Sequence, residues 1–506
     1  MSTTLAQPTL APAAKSLWPR YPSLYEINTW VWLSYLSEKY GKPIDLASVP
    51  SAEWDAIAAY GFDAVWLMGV WERSPAGIAI ANKNAGLLDD FRRTLSDFRP
   101  EDNVGSAYCI RRYVVDQHLG GPTALATARN ELSKRSMNLL LDFVPNHVAP
   151  DHPWATEHPE YFVHGTADEA RNNPNAFIAI NGVAYACGRD PFFDPWPDVL
   201  QLNAFNPALR EAVTETLSSI AEQCDGVRCD MAMLVLNSVF ERTWNNRVGP
   251  PPATEYWTDI ITATKEEHRG FLFIAEAYWD LEWQLQQLGF DFCYDKKLYD
   301  RLEHGQAETV RQHLGADTAY QNKLLRFIEN HDEPRAAATF SPAKERAVAV
   351  ATYTLPGARL YYEGQFEGRK VKVPVFLARR PHESVDQPLH EFCARLLAAA
   401  NQPLFHDGAW NLCERTGWPD NSSFQNLVAW SWQKNDDRCL IAVNLSNSPL
   451  QALIYIPWAA GQTWDLTDVL SNVTYRRDGN DMASRGLYIE LAPWNFHFFR
   501  CVQAAK

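Results

Sequence analysis

Four stretches of this sequence finish in groups that can move protons or hold charge: Asn146-His147, Arg228 with Asp230, Glu276, and Asn330-His331-Asp332. Each follows a short apolar run. Taken singly they say little, because an Asp after a strand is commonly a helix N-cap and a lone His is commonly a hydrogen-bonded structural residue. Taken together they offer carboxylates, histidines and an arginine for one pocket. Cleaving a glycosidic bond needs such a set: a carboxylic acid protonates the leaving oxygen, and a carboxylate traps or stabilises the oxocarbenium-like centre. The acid needs a raised pKa, which burial and nearby anions supply. The nucleophile must stay ionised, and Arg228, two residues before Asp230, would hold it so. Histidines can donate to sugar hydroxyls in the transition state. Metal ligation by the same histidines is the competing reading. They lie on different segments without an HxxxH spacing, so no metal site is expected.

Eight strand-like runs must position these groups: residues 23–32, 62–71, 138–147, 225–230, 271–279, 290–299, 323–332 and 358–365. Amphipathic stretches such as "GPTALATARNELSKRS" and "PALREAVTETLSSIAEQC" separate them. This alternation predicts a parallel α/β fold, a (β/α)8 TIM barrel with its chemistry at the C-terminal strand ends. A doubly wound sheet is the alternative, but no GxGxxG follows the first run. Two regions break the rhythm. Residues 148–225 are rich in Pro and aromatics and too long for a simple loop, which predicts an inserted subdomain after strand 3. From 403 onward short alternating runs with turn signals predict a C-terminal all-β sandwich. The expected organisation is a disordered tail over 1–20, a barrel over 21–147 and 226–402, an insertion over 148–225, and the sandwich over 403–506.

Composition narrows the setting. A net charge of −15 argues against nucleic acid as a partner and otherwise fits plain solubility. The nine cysteines are odd in number and form no CxxC pair, so neither a disulfide framework nor a zinc site is indicated. No secretory leader and no bilayer-spanning run is visible, so a cytoplasmic protein without a membrane partner is expected. Core and interface roles account for most of the 19 tryptophans, but a carbohydrate cleft would also use them, because a flat ring stacks well on the apolar face of a sugar. Trp71, Trp154, Trp196, Trp279 and Trp283 lie near the polar clusters in sequence.

Four ordered blocks, "DFVPNH" (142–147), "GVRCD" (226–230), "IAEAYW" (274–279) and "ENHDEPR" (329–335), with a weaker "GSAYCIRRY" (105–113), resemble the α-amylase family of glycoside hydrolases. The resemblance implies a retaining mechanism on α-1,4-glucosidic bonds of maltooligosaccharides or glycogen- and starch-like glucans. It implies Asp230 as nucleophile, Glu276 as general acid/base and Asp332 as the third carboxylate. Arg228 would orient the nucleophile, His147 and His331 would bond sugar hydroxyls, Tyr108 would floor the sugar, and Arg335 would line the pocket. Three departures stand out. Met233 and Leu234 replace a Lys-His pair common in α-amylases, which implies a more apolar product side. Packing behind the strand is the commoner role for such a Met/Leu run and is the favoured alternative. Gln201 stands where a carboxylate would help hold the family's structural calcium, and Asn146 alone is a poor ligand for a hard cation, so no cofactor is expected to be required. Cys109 replaces the Asp that many exo-acting members carry. A 4-α-glucanotransferase using the same intermediate is the alternative, and a catalytically inactive glucan-binding protein is a further one. A glucan-binding role for the sandwich competes with a plain covering role. Oligomeric state is left open.

Overall fold

The computed structural model describes residues 18–505. The tail expected over 1–20 lies almost wholly outside the described residues. Eight parallel strands close into a barrel: β1 (Ser23–Asn28), β2 (Ala64–Met68), β3 (Asn138–Phe143), β4 (Gly226–Cys229), β5 (Leu272–Ala275), β6 (Phe292–Tyr294), β7 (Leu324–Arg326) and β8 (Ala358–Tyr362). The barrel closes where Ser23 of β1 pairs with Arg359 of β8.

Side chains alternate between two cores along each strand, as the pleat requires. Leu24, Trp66, Leu140, Ile274, Tyr294 and Leu360 fill the barrel interior. Val65, Leu141, Val227, Cys229, Phe273 and Cys293 join the layer beneath the helices. This alternation sends Cys229 outward and keeps Arg228 and Asp230 on the inner side. Space at the foot of β4 is tight: a Cβ on Gly226 would lie 2.6 Å from the Leu272 carbonyl oxygen and 2.7 Å from Leu140 Cδ2. Only glycine lets the three strands approach there.

Strands His147–Val148, Phe177–Ile180, Val183–Gly188 and Trp196–Gln201 form an antiparallel sheet inserted after β3. The insertion is shorter than the expected 148–225. Helix Pro207–Gln223 begins at the Asn206 cap with Pro at its first turn. Its buried Leu209, Val213, Leu217 and Ile220 recur at helical spacing and join the barrel's outer core, and it packs against helix Tyr256–Glu267. It is therefore a barrel helix.

Beyond helix Gln387–Ala400 a six-stranded sheet and a three-stranded sheet build the C-terminal β domain. The large sheet is apolar on both faces. Leu427, Ala429, Leu440 and Phe499 pack on the small sheet. Trp430 and Trp432 turn the other way, and both indoles donate to the Thr354 carbonyl of the barrel, at 3.1 and 2.6 Å. The domain is thus docked on the barrel by buried tryptophans.

Candidate active site

Backbone bonds continue the barrel ladder past the strand ends and pin the polar residues. Asp230 N–H donates to the Phe143 carbonyl at 2.8 Å, and Glu276 N–H to the Cys229 carbonyl at 3.0 Å. Arg228 stands at the centre, 1% exposed. Its guanidinium lies over the rings of Tyr108, Trp66 and Tyr294, at 5.1, 5.5 and 5.7 Å from their centroids. Such a cage of π faces offsets part of the cost of burying the cation.

The guanidinium treats the two carboxyls unequally. Arg228 Nη1 donates an aligned hydrogen bond to Asp230 Oδ1 at 2.7 Å. Nη2 also lies 2.7 Å from Glu276 Oε2, but it aims no N–H at that oxygen, so the contact is an ion pair only. Asp332 is a more distant partner, 3.7 Å from Nη2. Burial pushes the Glu276 carboxyl up to about 7; Arg228 opposes this, and the Asp230 and Asp332 anions reinforce it. Burial raises Asp230 as well, while the charge and hydrogen bond of Arg228 pull it back. One carboxyl is thereby poised to carry a proton near neutrality, and the other, although also raised by burial, receives the directed donor that favours its charged form.

His331 links a third carboxyl to a residue the sequence reading passed over. Its Nδ1 bonds Glu26, a fully buried acid on β1. Its Nε2 lies 2.8 Å from Asp332 Oδ2 and 2.7 Å from the Tyr108 hydroxyl. Burial disfavours the imidazolium, but Asp332 and Glu26 outweigh it and bring His331 to about 10. The cation in turn overcomes the effect of burial on Asp332 and holds that carboxyl below the usual range. Asp332 is 42% exposed at the mouth, unlike its deeper companions.

These groups open into a cleft of about 380 Å³ lined by Tyr108, His147, Asp230, Glu276 and Asp332, together with Trp196 and Phe376. His147 is pulled down to about 4 by burial and so is neutral near pH 7. Met231 and Tyr278 form the far wall and are shared with an adjoining chamber of about 360 Å³ that contains Phe193 and Trp279. Both shared residues touch the acid: Met231 N–H donates to Glu276 Oε2 at 2.6 Å, and the Tyr278 hydroxyl to Oε1 at 2.8 Å. Met231 takes φ +42°, a left-handed conformation that a side chain rarely adopts. A larger cavity, about 520 Å³, lies between helix Gln387–Ala400 and the C-terminal sheet and has none of these groups.

Several expectations are corrected. Met233 and Leu234 do not make the product side apolar; they pack in the core, as the alternative reading expected, because the chain turns into a 3₁₀ helix at Ala232–Val235 that buries them. Arg335 does not line the cleft. It is 3% exposed, paired with Glu329 at 2.5 Å, and its guanidinium lies 4.3 Å over Tyr362. Among the singled-out tryptophans, Trp196 and Trp279 reach the cleft and chamber. Trp71 is core, and its indole donates to the Asp142 carbonyl. Trp154 packs edge-on against Tyr161, and Trp283 is exposed. Cys109 is buried behind the wall, with its thiol on the Asp198 carbonyl at 3.1 Å.

The residues at the expected calcium position do not suit a hard cation. Gln201 Nε2 sits among three oxygens, the Asn146 carbonyl at 2.9 Å, Asn146 Oδ1 at 2.9 Å and the Leu202 carbonyl at 3.1 Å. An amide donor fills the centre of a cage whose oxygens would otherwise be the ligands, and no carboxylate joins it.

Comparisons with known proteins bear on the family and the fold. The model of the α-amylase catalytic domain matches residues 53–374. The chain is 24% identical over 451 residues to the α-amylase MalA of Haloarcula japonica, covering 85% of this chain and 56% of that protein. It is 28% identical over 231 residues to an α-1,4-glucan:maltose-1-phosphate maltosyltransferase of Rhodospirillum rubrum, covering 44% and 27%. The chain spans little more than half the length of MalA. A maltogenic α-amylase, AmyB of Thermotoga neapolitana, shares the fold with TM-score 0.68 at 18% identity, over 96% of this chain and 99% of that one. An α-amylase of Geobacillus thermoleovorans gives 0.67 at 17%, over 96% and 99%.

Proposed function

This chain belongs to the α-amylase family, and on that premise we propose that it is a retaining enzyme cleaving α-1,4-glucosidic bonds of maltooligosaccharides or glycogen-like glucans. The uneven grip of Arg228 on the two carboxyls carries this reading. Asp230, whose charged form the Arg228 donor favours, attacks the anomeric carbon while Glu276, protonated up to about pH 7, gives its proton to the leaving oxygen. A glycosyl–Asp230 ester results. Glu276, now an anion, takes a proton from water, and that oxygen displaces Asp230. One guanidinium contacting both carboxyls favours the short separation of a retaining pair, roughly 5–5.5 Å, over the wider inverting one. The imidazolium of His331 and the anion of Asp332 hold the hydroxyls of the sugar bound at that point.

A second acceptor competes with water. The chamber beyond Met231 and Tyr278 has Trp279 and Phe193 on its walls, which suit a sugar face, among charged residues such as Asp190, Asp280 and Lys296 that can bond its hydroxyls. This favours some glucanotransferase activity from the same intermediate. The nine cysteines, all free and buried, support a reducing, cytoplasmic setting, and no helix among the described residues is long and apolar enough to cross a membrane. The deciding experiment is incubation with a maltooligosaccharide, with and without an added acceptor sugar, followed by product sizing. Shorter products alone mean hydrolysis, longer ones mean transfer, and an untouched substrate overturns the reading.

A further inference from the structure

The small sheet of the C-terminal domain, Arg415–Thr416, Leu450–Ile454 and Leu487–Leu491, has one apolar and one open face. Leu450, Ala452, Ile454, Leu487, Ile489 and Leu491 point to the large sheet and are buried. The intervening residues form the open face. Tyr488 stands on it 46% exposed, beside Trp418, 38% exposed. Their rings meet at 67° with centroids 6.1 Å apart.

Two features separate this pair from scattered surface aromatics, which need no explanation. First, Trp418 is held in place. Its carbonyl accepts from Asn421 N–H at 3.0 Å, and Asn421 Nδ2 reaches Gln451 Oε1 on the sheet at 3.2 Å. Gly417 lets that turn close on Phe424, since a Cβ there would lie 2.4 Å from its ring. Second, the rings stand beside a polar row, with Gln451 opposite Glu490 in register and Glu490 accepting from the Tyr488 hydroxyl at 3.0 Å. Flat rings take the C–H faces of sugars, while amide and carboxylate groups take their hydroxyls. The two rings, inclined at 67°, turn differently directed faces to the solvent, as a chain that curves between them would need.

We propose that this face is a second carbohydrate site, separate from the cleft, which takes an α-glucan chain on Trp418 and Tyr488. The choice of ligand rests on the function proposed above. The test is retardation in native gels containing amylopectin, in an Asp230→Asn background so that the polymer is not consumed. Trp418→Ala with Tyr488→Ala should weaken retention about ten-fold, and Tyr488→Phe should retain it. In the wild-type background the same double variant should turn over a short maltooligosaccharide within about two-fold of the parent, the cleft being untouched. Equal retention with and without the two rings, no retention of the parent, or a changed oligomeric state in the double variant would overturn the site. Failure of the parent to process the short substrate would instead overturn the proposed function, so the two outcomes are read separately.

Discussion

Removing one hydroxyl, in Tyr278→Phe, should raise the alkaline limb of the pH–rate profile. The Tyr278 O–H donates to Glu276 Oε1 at 2.8 Å, and the acid is only 3% exposed. A donor favours the ionised carboxyl, so its loss favours the protonated one, and the carboxyl rises from about 7. A hydrogen bond to a charged group contributes about 1.5–3 kcal/mol, and one pKa unit is 1.36 kcal/mol, so the ceiling is about two units. The Met231 N–H and the Arg228 cation remain on Oε2 and limit the change, which sets the expectation at about one unit. The sign follows from the role. Glu276 must be protonated to start the reaction, so the wild-type rate falls as pH rises through about 7 and the variant's limb should sit about one unit higher. The assay is kcat/KM for a maltooligosaccharide against pH, which reports the free enzyme. Phe retains the ring, so KM near the optimum should change little. A limb that stays in place or moves down would refute the assignment of Glu276 as the acid governed by this contact.

The other expectations use different groups. Asp230→Asn should lower kcat by roughly 10³-fold or more while leaving the melting temperature within a few degrees, because the amide oxygen still accepts from Arg228; surviving activity would remove Asp230 as nucleophile. Glu26→Gln should shift the His331 ring below about 10, since one of the two anions raising it is gone, and an NMR titration of that ring reads the change. An unmoved ring would mean that Asp332 alone sets its charge. Gln201→Glu puts a carboxylate among three carbonyl oxygens, so the variant should melt lower in chelator and recover on adding calcium, while the parent melts alike in both. A parent destabilised by chelator would overturn the reading of that amide.

Much of the site was legible because its charged residues interrupt apolar runs at strand ends. Asp230, Glu276 and Asp332 each follow a strand whose neighbours are buried, and a barrel brings such ends together whatever the loops do. Glu26 was legible in principle, as an acid within the wholly buried strand "SLYEIN". It was missed because its partner, His331, is 305 residues away and spacing carries no trace of the pairing. Arg335 misled for the opposite reason: it ends the block that contains Asp332, but Glu329 draws it into the core. The overlong insertion had a similar cause. Proline and aromatic content marked the start of the subdomain, yet the apolar stripe of Pro207–Gln223 had already returned the chain to the barrel.

The stretch after Asp230 shows why residue type alone could not describe the wall. Read as side chains, Met231 to Leu234 form an apolar product side. In the fold one residue, Met231, enters the left-handed region, and the next four wind into a 3₁₀ helix directed at the core. That single torsion redirects the chain just after the Met231 N–H has met Glu276 and leaves the Met231 side chain between cleft and chamber. A non-glycine residue in this conformation carries a cost of order 1–3 kcal/mol and persists where its surroundings hold it. Here the holding contacts are the Ala232 N–H on the Glu276 carbonyl at 3.0 Å and the Trp257 indole on the Ala232 carbonyl at 2.7 Å. The contribution of Met231 to the acid's environment is therefore made by its backbone, and an alphabet of side chains has no letter for it.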